Sequence, residues 1–288
     1  MEKIKDSELI INADGSIFHL HLKPENIGDT ILLLGDQGRV AEVSKYFDEV
    51  TFKVQNREFC THTGTLRGKK ITALSTGIGT DNIDIVINEL DALVNIDLEN
   101  RTIKKEHKAL NLIRIGTSGA LQEDIPVDSF VISSHGFGMD GLLHFYQSEK
   151  FRDLEIEKEI INQCKWPTDF NKPYVVKAPG TIYDTLKEGM FTGITGTACG
   201  FYGPQGRKLR LGLQIDDLNE RLTNFKMGNN RITNFEMETS ALYGLSALLG
   251  HNAATCCAII ANRIAKQYSS NYKLAVDKLI QTVLNRVC

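Results

Sequence analysis

Proline is scarce in this chain, 6 residues in 288, and no stretch gathers it into a linker. Low-complexity segments and internal repeats are also missing, so composition marks no domain boundary. No apolar run approaches the roughly 18–20 residues that a membrane-spanning helix needs. Met1 to Asp14 mixes charges with isoleucines and lacks the apolar core of a signal peptide, so a cytoplasmic protein is expected. Neither sign of charge is in excess: 33 Lys and Arg stand against 36 Asp and Glu, a net charge of −3. That balance offers no surface for nucleic acid or for an anionic membrane. The six cysteines, Cys60, Cys164, Cys199, Cys256, Cys257 and Cys288, include no Cys-x-x-Cys pair and no zinc-like spacing. Cys256 and Cys257 sit side by side in an apolar run, where cysteine serves as a small hydrophobe. No Gly-x-x-x-x-Gly-Lys-[Ser/Thr] loop occurs, and neither ATP nor NAD binding is indicated.

What the chain does have is an ordinary globular composition, 42% hydrophobic and 24% charged, arranged as short apolar runs alternating with amphipathic segments. Thr30–Leu34, Thr61–Leu66, Ile71–Ser75, Leu112–Ile115, Phe130–Ser133, Tyr174–Lys177, Phe191–Gly196 and Ala254–Ala261 read as strands. A tight turn at Arg67-Gly68-Lys69 pairs the second of these with the third. Apolar residues spaced three and four apart predict helices over Val40–Phe47, Asn82–Val94, Glu155–Cys164, Met237–Leu249 and Tyr272–Val287. The alternation predicts an α/β protein: a single domain, residues 18–288, with a mixed central β-sheet flanked by helices and preceded by an N-terminal extension, 1–17. The charged run 95–111 reads as a solvated surface insertion.

Ligands of such sheets sit in the loops beyond the strand ends. Three Gly-rich segments qualify: Leu34-Gly35-Asp36-Gln37-Gly38-Arg39, Ser75-Thr76-Gly77-Ile78-Gly79 and Arg114-Ile115-Gly116-Thr117-Ser118-Gly119. With Arg39, Arg114 and the Thr117 hydroxyl they form an oxyanion cradle, or else their glycines serve only strand-to-helix turns. Glu236-Met237-Glu238 lies where a strand runs into an apolar helix; its carboxylates either accept vicinal sugar hydroxyls or complement the helix N-terminus. Phe201-Tyr202-Gly203-Pro204-Gln205-Gly206-Arg207 puts an amide and a guanidinium two residues apart. That is either a base-recognition loop, with Phe201 stacked on a ring, or a surface turn. Asn262-Arg263 ends the last long strand and lines a site or marks the start of solvent.

Taken together, these segments resemble the nucleoside phosphorylases, and within them the uridine phosphorylases. The resemblance runs in order through Phe18-His19-Leu20, Gly35 to Val40, Asn56-Arg57-Glu58-Phe59, Ser75 to Gly79, Arg114 to Gly119, Phe201 to Arg207, Glu236-Met237-Glu238 and Asn262-Arg263. It implies reversible phosphorolysis of uridine to uracil and ribose 1-phosphate, with phosphate as co-substrate and no cofactor. Gly35, Arg39, Arg57, Arg114 and Thr117 would bind phosphate. His19, Thr117, Met237 and Glu238 would hold ribose. Phe201, Gln205, Arg207, Glu236 and Arg263 would bind the base. Arg207, Gln205 and Arg114 would carry the catalysis. His19 and Arg57 would reach into a neighbouring subunit, which makes a homodimer the minimal active unit and a hexamer the larger alternative. Glu58, Ile71 and Ser75 match positions that line an interface potassium site in some members.

The departures are Gln37 in place of proline, expected to loosen its turn, the order Tyr202-Gly203-Pro204-Gln205, the acid Asp81 beside an anion loop, and a long 95–111 excursion. Purine-cleaving relatives protonate purine N7 with an aspartate after the last long strand, where this chain has Asn262-Arg263. A nucleosidase on the same fold would need no phosphate clamp, and a non-catalytic nucleoside-binding protein would need no charged site residues.

Overall fold

The computed structural model describes residues 3–288, so the first two residues of the expected extension lie outside the described residues. The strands are β1 (Thr30–Leu34), β2 (Glu49–Asn56), β3 (Phe59–Leu66), β4 (Lys69–Ser75), β5 (Ile96–Asp97), β6 (Thr102–Ile103), β7 (Asn111–Ala120), β8 (Phe130–Gly138), β9 (Tyr174–Lys177), β10 (Phe191–Thr197), β11 (Lys226–Met227), β12 (Asn230–Glu236), β13 (Asn252–Asn262) and β14 (Gln267–Tyr268). The α-helices are α1 (Gln37–Ser44), α2 (Thr80–Asn95), α3 (Leu154–Gln163), α4 (Ile182–Leu186), α5 (Leu218–Asn224), α6 (Thr239–Leu249) and α7 (Tyr272–Val287). No helix of the described residues is long and apolar enough to cross a membrane.

The mixed central sheet runs β11-β12-β10-β8-β13-β7-β1-β4-β3-β2. It does not stay open. β12 also pairs antiparallel with β7, Asn234 opposite Ala120 and Phe235 opposite Gly119, so β12, β10, β8, β13 and β7 close into a ring. The ring brings the carboxyl ends of β7, β10, β12 and β13 to one mouth. Helices cover both faces. α2 buries Ile83, Val86, Ile87, Leu90 and Leu93 on one stripe. On the other side α7 buries Val276, Leu279, Ile280 and Val283 beneath β13 and β7. α6 is apolar all round and packs between α2 and the sheet, as a fully buried helix must.

Most expected elements stand, several with altered ends, and the differences have local causes. The third Gly-rich segment is not a loop: β7 continues through Gly116, Thr117, Ser118 and Gly119, because β13 pairs with it residue for residue from Asn252 to Ile259. α6 begins at Thr239 rather than Met237, since the Glu236 carboxylate accepts from the Thr239 N–H at 3.0 Å and fixes the first turn there. α1 starts at Gln37, three residues before the apolar pattern, because the Asp36 side chain accepts from the Gly38 N–H at 2.9 Å. The segment before Phe18 is no appendage: Leu9 and Ile17 are buried in the same core as Leu20 and Leu22. Nor is 95–111 wholly solvated. It folds as the β5–β6 hairpin, and the Lys104 ammonium donates to the Val94 carbonyl at 3.0 Å.

Candidate active site

At the mouth of the ring lies a cavity of about 530 Å³. Its walls include Gly35, Arg39, Arg114, Thr117, Phe201, Gln205, Arg207, Glu236, Met237, Glu238 and Arg263. Segments far apart in sequence thus converge as the glycine, carboxylate and amide motifs required. Two loops are tied at the start, the Thr76 N–H donating to the Leu34 carbonyl at 2.6 Å. Gly79, at φ 102°, enters α2 in a conformation that a side chain would strain, and its N–H donates to Glu238 Oε1 at 2.9 Å.

Arg114 is the centre of the charge arrangement. It is 5% exposed and pairs through Nη2 with Glu238 Oε2, while Nη1 stands 3.2 Å from Glu236 Oε2. Burial works against its charge, but Glu238 and then Glu236 hold its pKa well above the ordinary guanidinium value. Glu238 itself is raised by burial, even beside Arg114. The Nε–H of Arg114 has no partner among the described residues. Arg39 approaches from α1, donating to the Ile115 carbonyl at 3.4 Å. Burial and then the like charge of Arg114 push it below its usual pKa, and no carboxylate among the described residues pairs with it. Two guanidiniums so placed favour an anion between them.

Gly116 is what allows Arg114 this position. A methyl group there would come within 2.0 Å of Arg114 Nη1 and 3.1 Å of Cys257 Sγ. Gly116→Ala should therefore displace the guanidinium and cut activity about 100-fold, as a misplacement of order 1 Å does. Steady-state kinetics beside a melting curve would check it; unchanged activity would mean that Arg114 has room to spare.

The end of the cavity where a base was expected has a different character. The Arg207 guanidinium carbon stands over the Phe201 ring, 3.8 Å from its centroid, and Arg207 donates to Gln205 Oε1 at 2.6 Å. With its oxygen engaged, Gln205 has its Nε2 amide to offer a ligand. Arg263 donates to the Gln205 carbonyl, and its pKa is pushed down to about 10 by burial and by nearby Arg207.

Two expectations change. Glu236 was expected at the base, but its oxygens accept from Thr197 Oγ1 at 2.8 Å and from the N–H groups of Glu238 and Thr239 at 3.0 Å. It caps α6 and holds Glu238. Gln37 does not loosen its turn: its amide donates to the Arg57 carbonyl at 2.6 Å and ties that loop to the β2–β3 turn. Of the three residues expected to line a potassium site between subunits, Glu58 and Ser75 meet within one chain and Ile71 stands apart. Ile71 and Ser75 lie about 13 Å apart along β4. Ser75 Oγ is occupied, donating to the Glu58 carbonyl at 2.6 Å and accepting from the Cys60 N–H at 2.7 Å.

His19 and Arg57 stay outside their own chain's cavity and form a separate patch. The His19 ring nitrogen stands 2.6 Å from Glu89 Oε1, its carbonyl accepts from Asn56 at 2.8 Å, and Arg57 lies 6.0 Å over the neighbouring Phe18 ring. Ile78, Ser118, Ile260, Ala261 and Tyr268 also line the cavity, though the sequence reading assigned none of them a role. For Ser118 the signal was the length of β7, and for Tyr268 the return strand after Asn262.

Other chemistries fit less well. Asp91, His107 and His251 bring ligand atoms within 4.8 Å of one another. The Leu110 N–H donates to His251 Nδ1 at 3.2 Å, however, which puts the ring proton on Nε2, the atom facing Asp91. That leaves His251 no lone pair for a metal. The bare Gly-x-Gly-x-x-Gly spacing at Gly136, Gly138 and Gly141 belongs to the end of β8, with Gly136 packed under Ser240 and Gly138 under the Tyr174 ring. It opens no α-helix and cradles no dinucleotide. Burial raises the Cys257 thiol to about 11, so it remains a thiol beside Arg114.

The comparisons with known proteins agree with this geometry. A family model described as the phosphorylase superfamily matches residues 29–287. A uridine phosphorylase of Thermococcus kodakarensis is 28% identical over 278 residues, 93% of this chain and 85% of that protein. A DeoD-type purine nucleoside phosphorylase of Clostridium perfringens is 30% identical over 260 residues, 88% of this chain and 90% of that protein. Among solved structures, a Trypanosoma brucei nucleoside phosphorylase described as showing uridine phosphorylase activity is 29% identical, with a TM-score of 0.88 over 97% of this chain and 99% of that one. By sequence, by fold and by the residues gathered at its mouth, the chain belongs to the phosphorylase superfamily and is a pentosyl-transferring enzyme of the nucleoside phosphorylase kind.

Proposed function

We propose that the protein is a uridine phosphorylase that acts in pyrimidine salvage in the cytoplasm. The observation that carries this reading is the Gln205–Arg207 pair. The guanidinium orients the amide oxygen, so both side chains present N–H donors to the cavity. A pyrimidine dione offers carbonyl oxygens to such donors. Asn262 adds to the argument. It is 1% exposed and fully occupied: its amide donates to the Gln122 and Ile125 carbonyls at 2.9 and 2.8 Å, and its oxygen accepts from the Ile264 and Ala265 N–H groups. The residue that ends this strand is thus an amide and not an acid that could protonate a purine.

In this reading, phosphate sits between Arg39 and Arg114, close to Gly35 and Thr117. The C1′–N1 bond breaks with its electron pair entering the uracil ring, and a phosphate oxygen bonds to C1′. Negative charge grows on the uracil oxygens, where Arg207 and Gln205 meet it. Burial lowers the Arg207 pKa, and a cation short of solvent is the stronger partner for that charge. Glu238 accepts the sugar hydroxyls beside Met237. Positioning of the nucleophile supplies much of the remaining acceleration.

A purine-type relative shares as much identity as the uridine-type one, so the test is a nucleoside panel assayed with and without phosphate. Release of uracil from uridine that requires phosphate, with inosine and adenosine turned over slowly, is the expected result. Faster turnover of inosine than of uridine would overturn the pyrimidine reading. Base release without phosphate would point to a nucleosidase.

A further inference from the structure

Among the described residues three aromatic side chains line the cavity; one is buried and another already carries a guanidinium on one face. Phe235 is 2% exposed, its ring against Gly196, where an added methyl group would meet ring carbons at 2.7 Å. Phe201 carries Arg207 on its face at 3.8 Å and Tyr202 against its edge at 5.2 Å. That face is taken by the guanidinium. The third, Tyr268, is 66% exposed.

An exposed tyrosine is ordinary on a surface, but this one is held rigidly at a cavity mouth. β14 pairs antiparallel with β13, which sets Tyr268 directly opposite Ala261, another cavity residue. The next residue pins the hairpin twice. The Ser269 N–H donates to the Ile260 carbonyl at 2.9 Å, and the Ser269 hydroxyl donates to Asp128 Oδ1 at 2.5 Å. Backbone pairing thus holds the Tyr268 Cα at the cavity mouth, and no aromatic ring among the described residues stacks on its side chain.

We infer that Tyr268 is the stacking platform for the nucleobase. The inference rests on the nucleoside phosphorylase reading and divides the labour of the base subsite. Every base presents a π-face, so a tyrosine platform contributes affinity without discriminating among bases. Gln205 and Arg207 address the edge and choose. Phe201, the expected platform, acts through Arg207.

The test compares Tyr268→Ala with Tyr268→Phe on whichever nucleoside the wild type cleaves best. Tyr268→Ala should raise the nucleoside KM about 10- to 100-fold, while Tyr268→Phe stays near wild type, since the ring and not the hydroxyl stacks. The phosphate KM and the uridine-to-inosine ratio should not move. A nucleoside KM unchanged in Tyr268→Ala would overturn the inference, as would an equal rise in the phosphate KM, which marks a merely structural role. If inosine proves the better substrate, the pyrimidine reading falls while the platform is still read on inosine. If no nucleoside releases base, calorimetric titration with uracil and hypoxanthine reads the same contact, and equal affinity in wild type and Tyr268→Ala counts against it.

Discussion

Arg114→Ala should abolish phosphate-dependent turnover while costing the fold visibly. Removing one preorganised cationic donor from a reacting charge lowers rates on the order of 10²–10³. Here the same change strands two buried carboxylates, because Arg114 pairs with both Glu236 and Glu238. Breaking a buried pair by removing one partner destabilises by about 3–5 kcal/mol. Phosphate saturation curves and thermal melts should therefore shift together. Arg39→Ala separates the two effects. Arg39 is partly exposed and has no carboxylate partner among the described residues, so its loss should weaken phosphate use with little change in melting temperature. Phosphate dependence left intact in both variants would refute the cradle.

Mixing two inactive variants should restore activity. His19 and Arg57 form a patch away from their own cavity, whereas Glu238 is inside it. If that patch completes a neighbour's site across an isologous interface, a dimer of His19→Ala/Arg57→Ala with Glu238→Ala concentrates both defects in one site and leaves the other whole. Random pairing makes half the dimers mixed, each with one good site of two, so recovery should reach about a quarter of wild-type activity. Subunit exchange, followed by native mass measurement on a tagged variant, must accompany the assay. Exchange without recovery would mean that each chain builds its site alone.

The sequence carried the elements of the fold well where a strand was short and apolar: Thr30–Leu34 and Tyr174–Lys177 stand as expected. It failed where a strand contained its own glycines. Gly116 and Gly119 read as a turn because local propensity says so, yet the long ladder from β13 overrides that preference. β2 was not anticipated at all, since its residues alternate between exposed and half-buried and carry little apolar signal. In the site, charged and amide motifs were legible because they are costly to bury without purpose. Arg39, Arg114, Gln205, Arg207 and Glu238 were all found this way and all line one cavity. Tyr268 was not, because only the hairpin pairing brings it there. For Glu236 two readings stood open, and its hydrogen bonds fit the one at the helix N-terminus; which oxygens are already satisfied is a three-dimensional fact.

The closed ring of β12, β10, β8, β13 and β7 has a consequence for motion. Each of its strands is bonded on both sides, so none can be peeled away without breaking two ladders at once. Amide protons along β7 and β13 should exchange with deuterium only through opening of much of the molecule, at close to its global stability. The loop through 198–217 and the hairpin tip at 263–266 have no such double anchorage, and their amides should exchange sooner. Arg114 and Thr117, both on β7, therefore stand on a fixed floor, whereas the segments that carry Arg207 and Arg263 are the freer parts of the cavity wall.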